Sequence, residues 1–321
     1  MPTLDNHRCQ EIAGVIQRMG YTPDKRSVTP FENDPVSERS FLFFMVAIDH
    51  KTHGEKRYEE GTAHGSDLMV KKAGEAALKE PGLWTCEGVL KLTTEKAARI
   101  FATGEGVTPT GMQRRVELMT SAAKFLKAKY AGDVRNVFEQ AENTLAGQGG
   151  VIERLAECPA YADPLQKKTQ LLLKLLWRRK LVEIKDVENM GAPPDHVLMT
   201  SVLRSGMVNS GELAAKLRAG EKLTDKELWE LRDATRQAVK EVAVRAQMDI
   251  GDVDDLFWGM GRETTALSLP IGRGDILKIR TVMDNRCKNA QAREEFLQTI
   301  CAQEEVARQF PVPVYAETDF F

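Results

Sequence analysis

Apolar residues recur along most of this chain at helical spacing, and strand-like alternation is scarce. In Met112–Tyr130, the residues Val116, Met119, Ala123 and Leu126 fall on one face of a helix. A chain patterned this way has to bury helices against one another. The expected fold is therefore mostly α and multi-helical, with at most a few short strands in the N-terminal third. The run 37–48, with Phe41, Leu42, Phe43, Phe44, Met45 and Val46, suits a buried helix or a buried strand equally.

Local signals mark the other helices. Residues 67–78 have helical spacing, and Thr93 or Thr94 can cap 95–101. Glycine and threonine crowd 103–111, which makes that loop the expected boundary between an N-terminal lobe, 1–108, and a helical core, 109–321. Gly132 and Asp133 break the helix that ends at Tyr130, and a second helix is expected over 134–145, before a glycine-rich break at 147–150. Asp163–Pro164 has the cap-then-proline pattern of a helix start, for a helix running through Leu171 and Trp177. Pro193–Pro194–Asp195 opens another, which Gly206 can close. Thr224 and Glu227 form a capping box before 228–246. Asp252 is placed to cap 253–266, and a last helix is expected over 290–309, ahead of a proline-containing tail, 310–321.

Composition narrows the function classes. With 45 basic against 47 acidic residues, the chain lacks the overall basic field of a sequence-blind nucleic-acid binder. The five cysteines are odd in number, far apart and without a CxxC pair, which argues against a disulfide framework or a cysteine zinc site. No apolar run is long enough for a bilayer, and residues 1–20 carry Asp5, Arg8, Glu11 and Arg18 where a signal peptide needs an apolar stretch. The expectation is a cytoplasmic protein with no membrane partner. The sequence contains no GxxxxGK[ST], GxGxxG, GxSxG or HExxH motif, which removes the commonest nucleotide-hydrolysing, dinucleotide-binding, esterase and zinc-protease readings.

Four constellations could carry chemistry. Lys167, Lys168 and Gln170 open a helix whose continuation is strongly apolar. Lysine at a helix N-terminus opposes the macrodipole, so either it is solvated there or something else holds it; a lysine held near a core can act as a nucleophile or clamp a phosphate. Asp195, followed by His196, sits after two prolines at a helix start, either as an ordinary N-cap or as a carboxylate aimed at a cation that forms in a reaction. Asp254 and Trp258 lie four apart and share a helix face, where an acid beside an aromatic platform would suit a planar base. Asp49, His50 and His53, with His64 and Asp67 downstream, have metal-ligating side chains, but their spacing matches no standard zinc pattern. Solvated loop histidines or a polar pocket wall are the competing readings, and no metal is expected.

In order along the chain come the apolar run ending in Asp49, Tyr58-x-x-Gly61 and Gly65, Leu92-Thr93-x-Glu95, Arg114–Arg115, and Phe125, Tyr130 and Gly132. Pro159-x-Tyr161-x-Asp163, Lys167-Lys168-x-Gln170 with Trp177, Asp195, Leu203-x-x-Gly206 and Asp254-x-x-x-Trp258 follow. In that order and spacing the chain resembles the queuosine salvage family, the queuosine 5′-phosphate N-glycosylases. More distantly it resembles helix-hairpin-helix DNA glycosylases of the archaeal 8-oxoguanine type. The resemblance implies a helix-hairpin-helix glycosylase-like fold and a hydrolase that releases a 7-deazaguanine-type, queuine-like base from a nucleoside 5′-phosphate, with no cofactor. It implies Asp195 as the catalytic carboxylate beside an oxocarbenium-like ribosyl centre. It implies Asp254 as a hydrogen-bond partner of the base, and Lys167 or Lys168 as a catalytic lysine or the holder of the 5′-phosphate. Trp258, Gln170, Asp49, His50 and His196 complete the expected substrate contacts. The Asp49–His53 run and Pro193–Pro194 depart from the family's aromatic pocket pattern, so the resemblance speaks more for glycosylase chemistry than for this one base.

Two alternatives accompany that expectation. One is a DNA glycosylase that excises a flipped, damaged base such as 8-oxoguanine through a Lys167 or Lys168 Schiff base, which needs a basic face of the kind Arg178, Arg179, Lys180, Arg273 and Arg280 could form. The other is a non-catalytic protein that binds a nucleoside on the same scaffold.

Overall fold

A computed structural model describes residues 1–23, 30–31, 33–52, 56–265, 280, 283 and 286–301. In chain order its elements are β1 (Thr3–Leu4), α1 (Asn6–Met19), α2 (Pro35–Ala47), β2 (Glu59–Glu60), β3 (Ala63–His64), α3 (Gly65–Lys79), α4 (Cys86–Leu90), α5 (Thr94–Phe101), α6 (Met112–Tyr130) and α7 (Arg135–Gln140). There follow α8 (Val151–Ala156), α9 (Lys167–Arg178), α10 (His196–Arg204), β4 (Val208–Asn209), α11 (Leu213–Ala219), α12 (Asp225–Ala246), α13 (Ile250–Thr265) and α14 (Ala290–Cys301). Among the described residues the protein is mostly helical, as the periodicity requires. The expectation that strands keep to the N-terminal third is corrected by β4. It pairs antiparallel with β1, placing Leu4 opposite Val208, while β2 and β3 form a second small ladder. No signal local to residues 208–209 marks a strand, because its partner lies at the other end of the chain.

The described residues form two compact units, one from those within 1–23 and 191–301, the other from those within 30–190. The loop 103–111 lies inside the second unit, where Thr103 N–H donates to Val107 O and Thr110 N–H to Thr52 O.

In the first unit, α12 packs against α1, α10 and α13, and α1 also packs against α14. The capping box at its start is present in full. Thr224 Oγ1 accepts from Glu227 N–H, and the Glu227 carboxylate accepts from Thr224 N–H. The expectation that Asp252 caps the next helix is corrected: α13 begins at Ile250, and Asp249 Oδ1 accepts the N–H groups of Gly251 and Asp252. An acid one turn earlier does the capping, and Asp252 is left inside the first helical turn. The last helix is described as far as Cys301, and both the remainder of 290–309 and the tail 310–321 lie outside the described residues.

The second unit is organised around α2, which packs on α6 and α9. The helix-or-strand ambiguity of 37–48 is settled by its start: Asp34 accepts from Ser37 N–H and Pro35 takes the first turn. Phe41 to Ile48 are all buried, and burying each large side chain contributes roughly 1.5–3 kcal/mol. The helix expected over 134–145 stops at Gln140. Glu142 and Asn143 adopt left-handed backbone with φ of 52° and 60°, and the Asp186 carboxylate takes the N–H groups of Leu145 and Ala146. Likewise α9 starts at Lys167 and not directly after Pro164, because Gln166 is left-handed while Asp163 accepts from Leu165 and Lys167 N–H.

At Gly261, α13 lies close against α10. A Cβ added there would sit 2.7 Å from Val197 O and 2.8 Å from Val197 Cγ1. Backbone on one side and a β-branched side chain on the other leave little room to yield. Gly261→Ala is therefore expected to destabilise the fold by about 1–3 kcal/mol in urea unfolding, despite alanine's better helix propensity.

Candidate functional site

The expected site residues fall in two groups, one in each unit. In the first unit, Asp195 is the N-cap of α10. Its Oδ1 accepts from Leu198 N–H at 2.8 Å, and its Oδ2 accepts from the Trp258 indole Nε1–H at 3.0 Å. Its backbone is fixed from behind: Pro193 and Pro194 are buried, and Arg232 Nε donates to Pro194 O at 3.0 Å. The residue is half-buried, and both of its carboxylate oxygens are met by N–H donors.

Trp258 comes from α13, and the Arg262 guanidinium lies over its ring at 5.2 Å from the centroid. Asp254 is one turn earlier on the same helix and only 1% exposed. His196 is the first residue of α10, half-buried, and its backbone oxygen accepts from the Thr200 hydroxyl. The structure thus joins Asp195 and Trp258 directly, although they stand 63 positions apart.

In the second unit, the first turn of α9 is not the solvated basic turn that its composition allows. Lys167 is 4% exposed, Lys168 0% and Gln170 1%. The two lysines separate sharply in what they hold. Lys167 Nζ donates to Asp49 Oδ2 at 2.6 Å and to Asp49 O at 2.8 Å, whereas Lys168 Nζ donates to Ala47 O at 2.6 Å. Ser66 donates to the other Asp49 oxygen. Gln170 Nε2 donates to Gln166 Oε1. Burial by itself raises the Asp49 carboxyl, but the Lys167 charge and the hydrogen bonds from Lys167 and Ser66 outweigh it and hold the group down at about 2.

His50 stands next in the chain and is driven the same way by different forces. Burial, then the Arg115 and Lys168 charges, push its imidazole down to about 2, so it is neutral at physiological pH. His53 lies outside the described residues. Among the described residues, no three His, Cys, Asp or Glu side chains come close enough to hold a metal ion.

Arg115 is the residue that motif reading undervalued. Its guanidinium is fully buried and donates to the backbone oxygens of Ile48, His50, Lys51 and Thr110, tying down the segment that carries Asp49 and His50. A signal for it exists in the sequence. Arg115 sits on the apolar stripe of α6 with Met119, Ala122 and Leu126, where a solvated arginine does not belong. Arg232 has the same mark in α12, between the buried Leu228 and Thr235. Of the basic residues in the DNA reading, Arg179 is paired with Glu38 and Arg280 with Glu294, and Arg273 lies outside the described residues.

Comparison with known proteins gives no matching family model and no curated protein that matches in sequence.

Both depressed groups stabilise the fold at the alkaline end of their ranges. The unfolded chain takes up protons at His50 below its ordinary value of 6.5, which the folded chain refuses, so stability falls as pH drops below that point. The Asp49 contribution is complete above 3.8 and is lost as pH falls toward 2. Urea midpoints measured from about pH 7.5 to about pH 4.5 should therefore decline in the native protein and decline less in His50→Gln. Asp49→Asn should leave that window's slope intact while lowering stability throughout it, by roughly 2 kcal/mol or more, since it leaves Lys167 buried without its carboxylate.

Proposed function

We propose that the protein is an N-glycosidic bond hydrolase, with Asp195 as the carboxylate that stabilises an oxocarbenium-like ribosyl centre as the base departs. The observation that carries this reading is the state of that side chain. One N–H from its own helix and one from Trp258 fix both oxygens, both donors are neutral, and the residue is only partly buried. Each carboxylate oxygen can accept two hydrogen bonds, so each keeps a lone pair for a developing cation. A preoriented negative group needs no reorganisation as that charge appears. Water then attacks the ribosyl carbon and completes the hydrolysis.

The nearly dehydrated Asp254 supplies the kind of acceptor that would recognise exocyclic N–H groups of a 7-deazaguanine-type base, the substrate class that the motif order suggests. A nucleoside 5′-phosphate carrying that base is the proposed substrate, on a helix-hairpin-helix glycosylase-like scaffold. The engagement of both amines, Lys167 on Asp49 and Lys168 on Ala47 O, favours this hydrolytic route over a Schiff base on Lys167 or Lys168, which requires an amine free to attack.

Incubation with queuosine 5′-phosphate, with free base followed by chromatography, should show release by the native protein. Asp195→Asn should reduce that release by about 100-fold or more. Binding of nucleosides in a thermal shift, with no base released by either protein, would instead identify a non-catalytic binder. Equal release by both would remove Asp195 from the chemistry.

A further inference from the structure

The pairing of Trp258 with Asp195 has a second use, which rests on the hydrolase reading. We propose that Trp258 is a positioning residue that acts through Asp195, with Arg262 setting the plane of its ring, and not the stacking platform for the base that its place beside Asp254 suggests.

Three observations point the same way. The indole has one polar donor, and that N–H is committed to Asp195 Oδ2 at 3.0 Å. A donor bound in the ring plane fixes where the plane lies, so a base cannot slide the ring to suit itself without breaking the bond. One π face is occupied by the Arg262 guanidinium at 5.2 Å, which takes up stacking surface and, by drawing on the ring's electron density, makes the N–H a stronger donor. The helix that carries both residues is locked in place one turn beyond the indole: Gly261 abuts Val197 of α10, the helix that Asp195 caps. The result is a relay of three side chains in one unit, Arg262 to Trp258 to Asp195. It holds the carboxylate oxygen that Leu198 does not reach.

The chemistry this arrangement serves is orientation. A carboxylate anchored at one oxygen is held against rotation about the Cβ–Cγ bond by a single hydrogen bond, and a rotated carboxylate presents a different lone pair to the ribosyl carbon. A second anchor on the other oxygen stops that rotation. Loss of the anchor should slow the chemical step while leaving the affinity for the base in place, because the ring was not gripping the base. A stacking platform would behave in the opposite way.

Two measurements on the full chain decide the matter. Four tryptophans give four indole N–H resonances, and Trp258→Phe identifies the one that belongs to Trp258. That resonance should lie at low field in the native protein and move to higher field in Asp195→Asn, where a neutral acceptor polarises the N–H less. The other three should keep their positions and thereby report that the fold is intact. In the base-release assay, Trp258→Phe should lower kcat by ~10-fold with KM changed less than ~2-fold, and Arg262→Met should reproduce part of that loss, ~3-fold.

A Trp258 resonance that ignores Asp195→Asn overturns the proposal, whatever the activity. A Trp258→Phe variant whose KM rises while kcat holds also overturns it and restores the platform role. The resonance arm needs no substrate. If the native protein releases no base, the hydrolase reading falls on the assay alone, and the link between the two side chains is still judged by the spectrum.

Discussion

The guanidinium of Arg115 is cut off from water, and its N–H groups must find acceptors inside the fold. It takes backbone oxygens at four places, three of them between Ile48 and Lys51 and one at Thr110. Leaving a buried donor unmade costs about 1–3 kcal/mol, and more for a charged group, so this one side chain dictates the path of the segment after α2. Asp49 is presented to Lys167 because that segment is held. Lys167 in turn can be buried at the start of α9, against the helix dipole, because Asp49 is there to meet it. Asp163 meanwhile satisfies the backbone at the same helix start. Burial of charge therefore propagates from α6 to the loop and on to α9.

The first unit solves the same problem with a different goal. Arg232 fixes the backbone just before Asp195, and Leu198 and Trp258 fix its two oxygens with neutral N–H groups. In the second unit Asp49 meets a counter-charge, the Lys167 ammonium. Around Asp195 the donors are the neutral N–H groups of Leu198 and Trp258. That contrast, a carboxylate neutralised by a cation against one held by neutral donors, supports the proposed role of Asp195.

Much of the fold was legible in the sequence because helices announce their ends locally. Thr224 and Glu227 cap α12 as their spacing requires, and α6 spans the residues its apolar face outlines. Two of the misjudged boundaries share a cause. Residues 134–145 have helical composition, but Glu142 and Asn143 turn left-handed so that Asp186, 40 or more positions away, can take the next N–H groups. The start of α9 is delayed by the Gln166 turn for a similar reason: Asp163 reaches both Leu165 and Lys167 N–H. A distant or unusual acceptor decided each case.

The candidate site divides along the same line. Asp195 was marked by what immediately surrounds it, two prolines before and a helix after, and its capping bond to Leu198 is a local consequence of that pattern. The acid and the tryptophan of α13 were likewise visible from their spacing of four. What those residues do to one another was not legible. That the Trp258 indole would spend its N–H on Asp195, that Arg262 would cover its ring, and that the two lysines of α9 would part company onto Asp49 and Ala47 depends on how helices pack across long sequence separations. The sequence by itself determined that the fold is helical, where most helices lie, caps such as Thr224 and Asp195, and the types of side chain available for chemistry, because those follow from periodicity and from hydrogen bonds within a turn or two. Only the tertiary structure decided which charges were buried and which were left open, because a buried charge takes whichever partner the packing brings within reach.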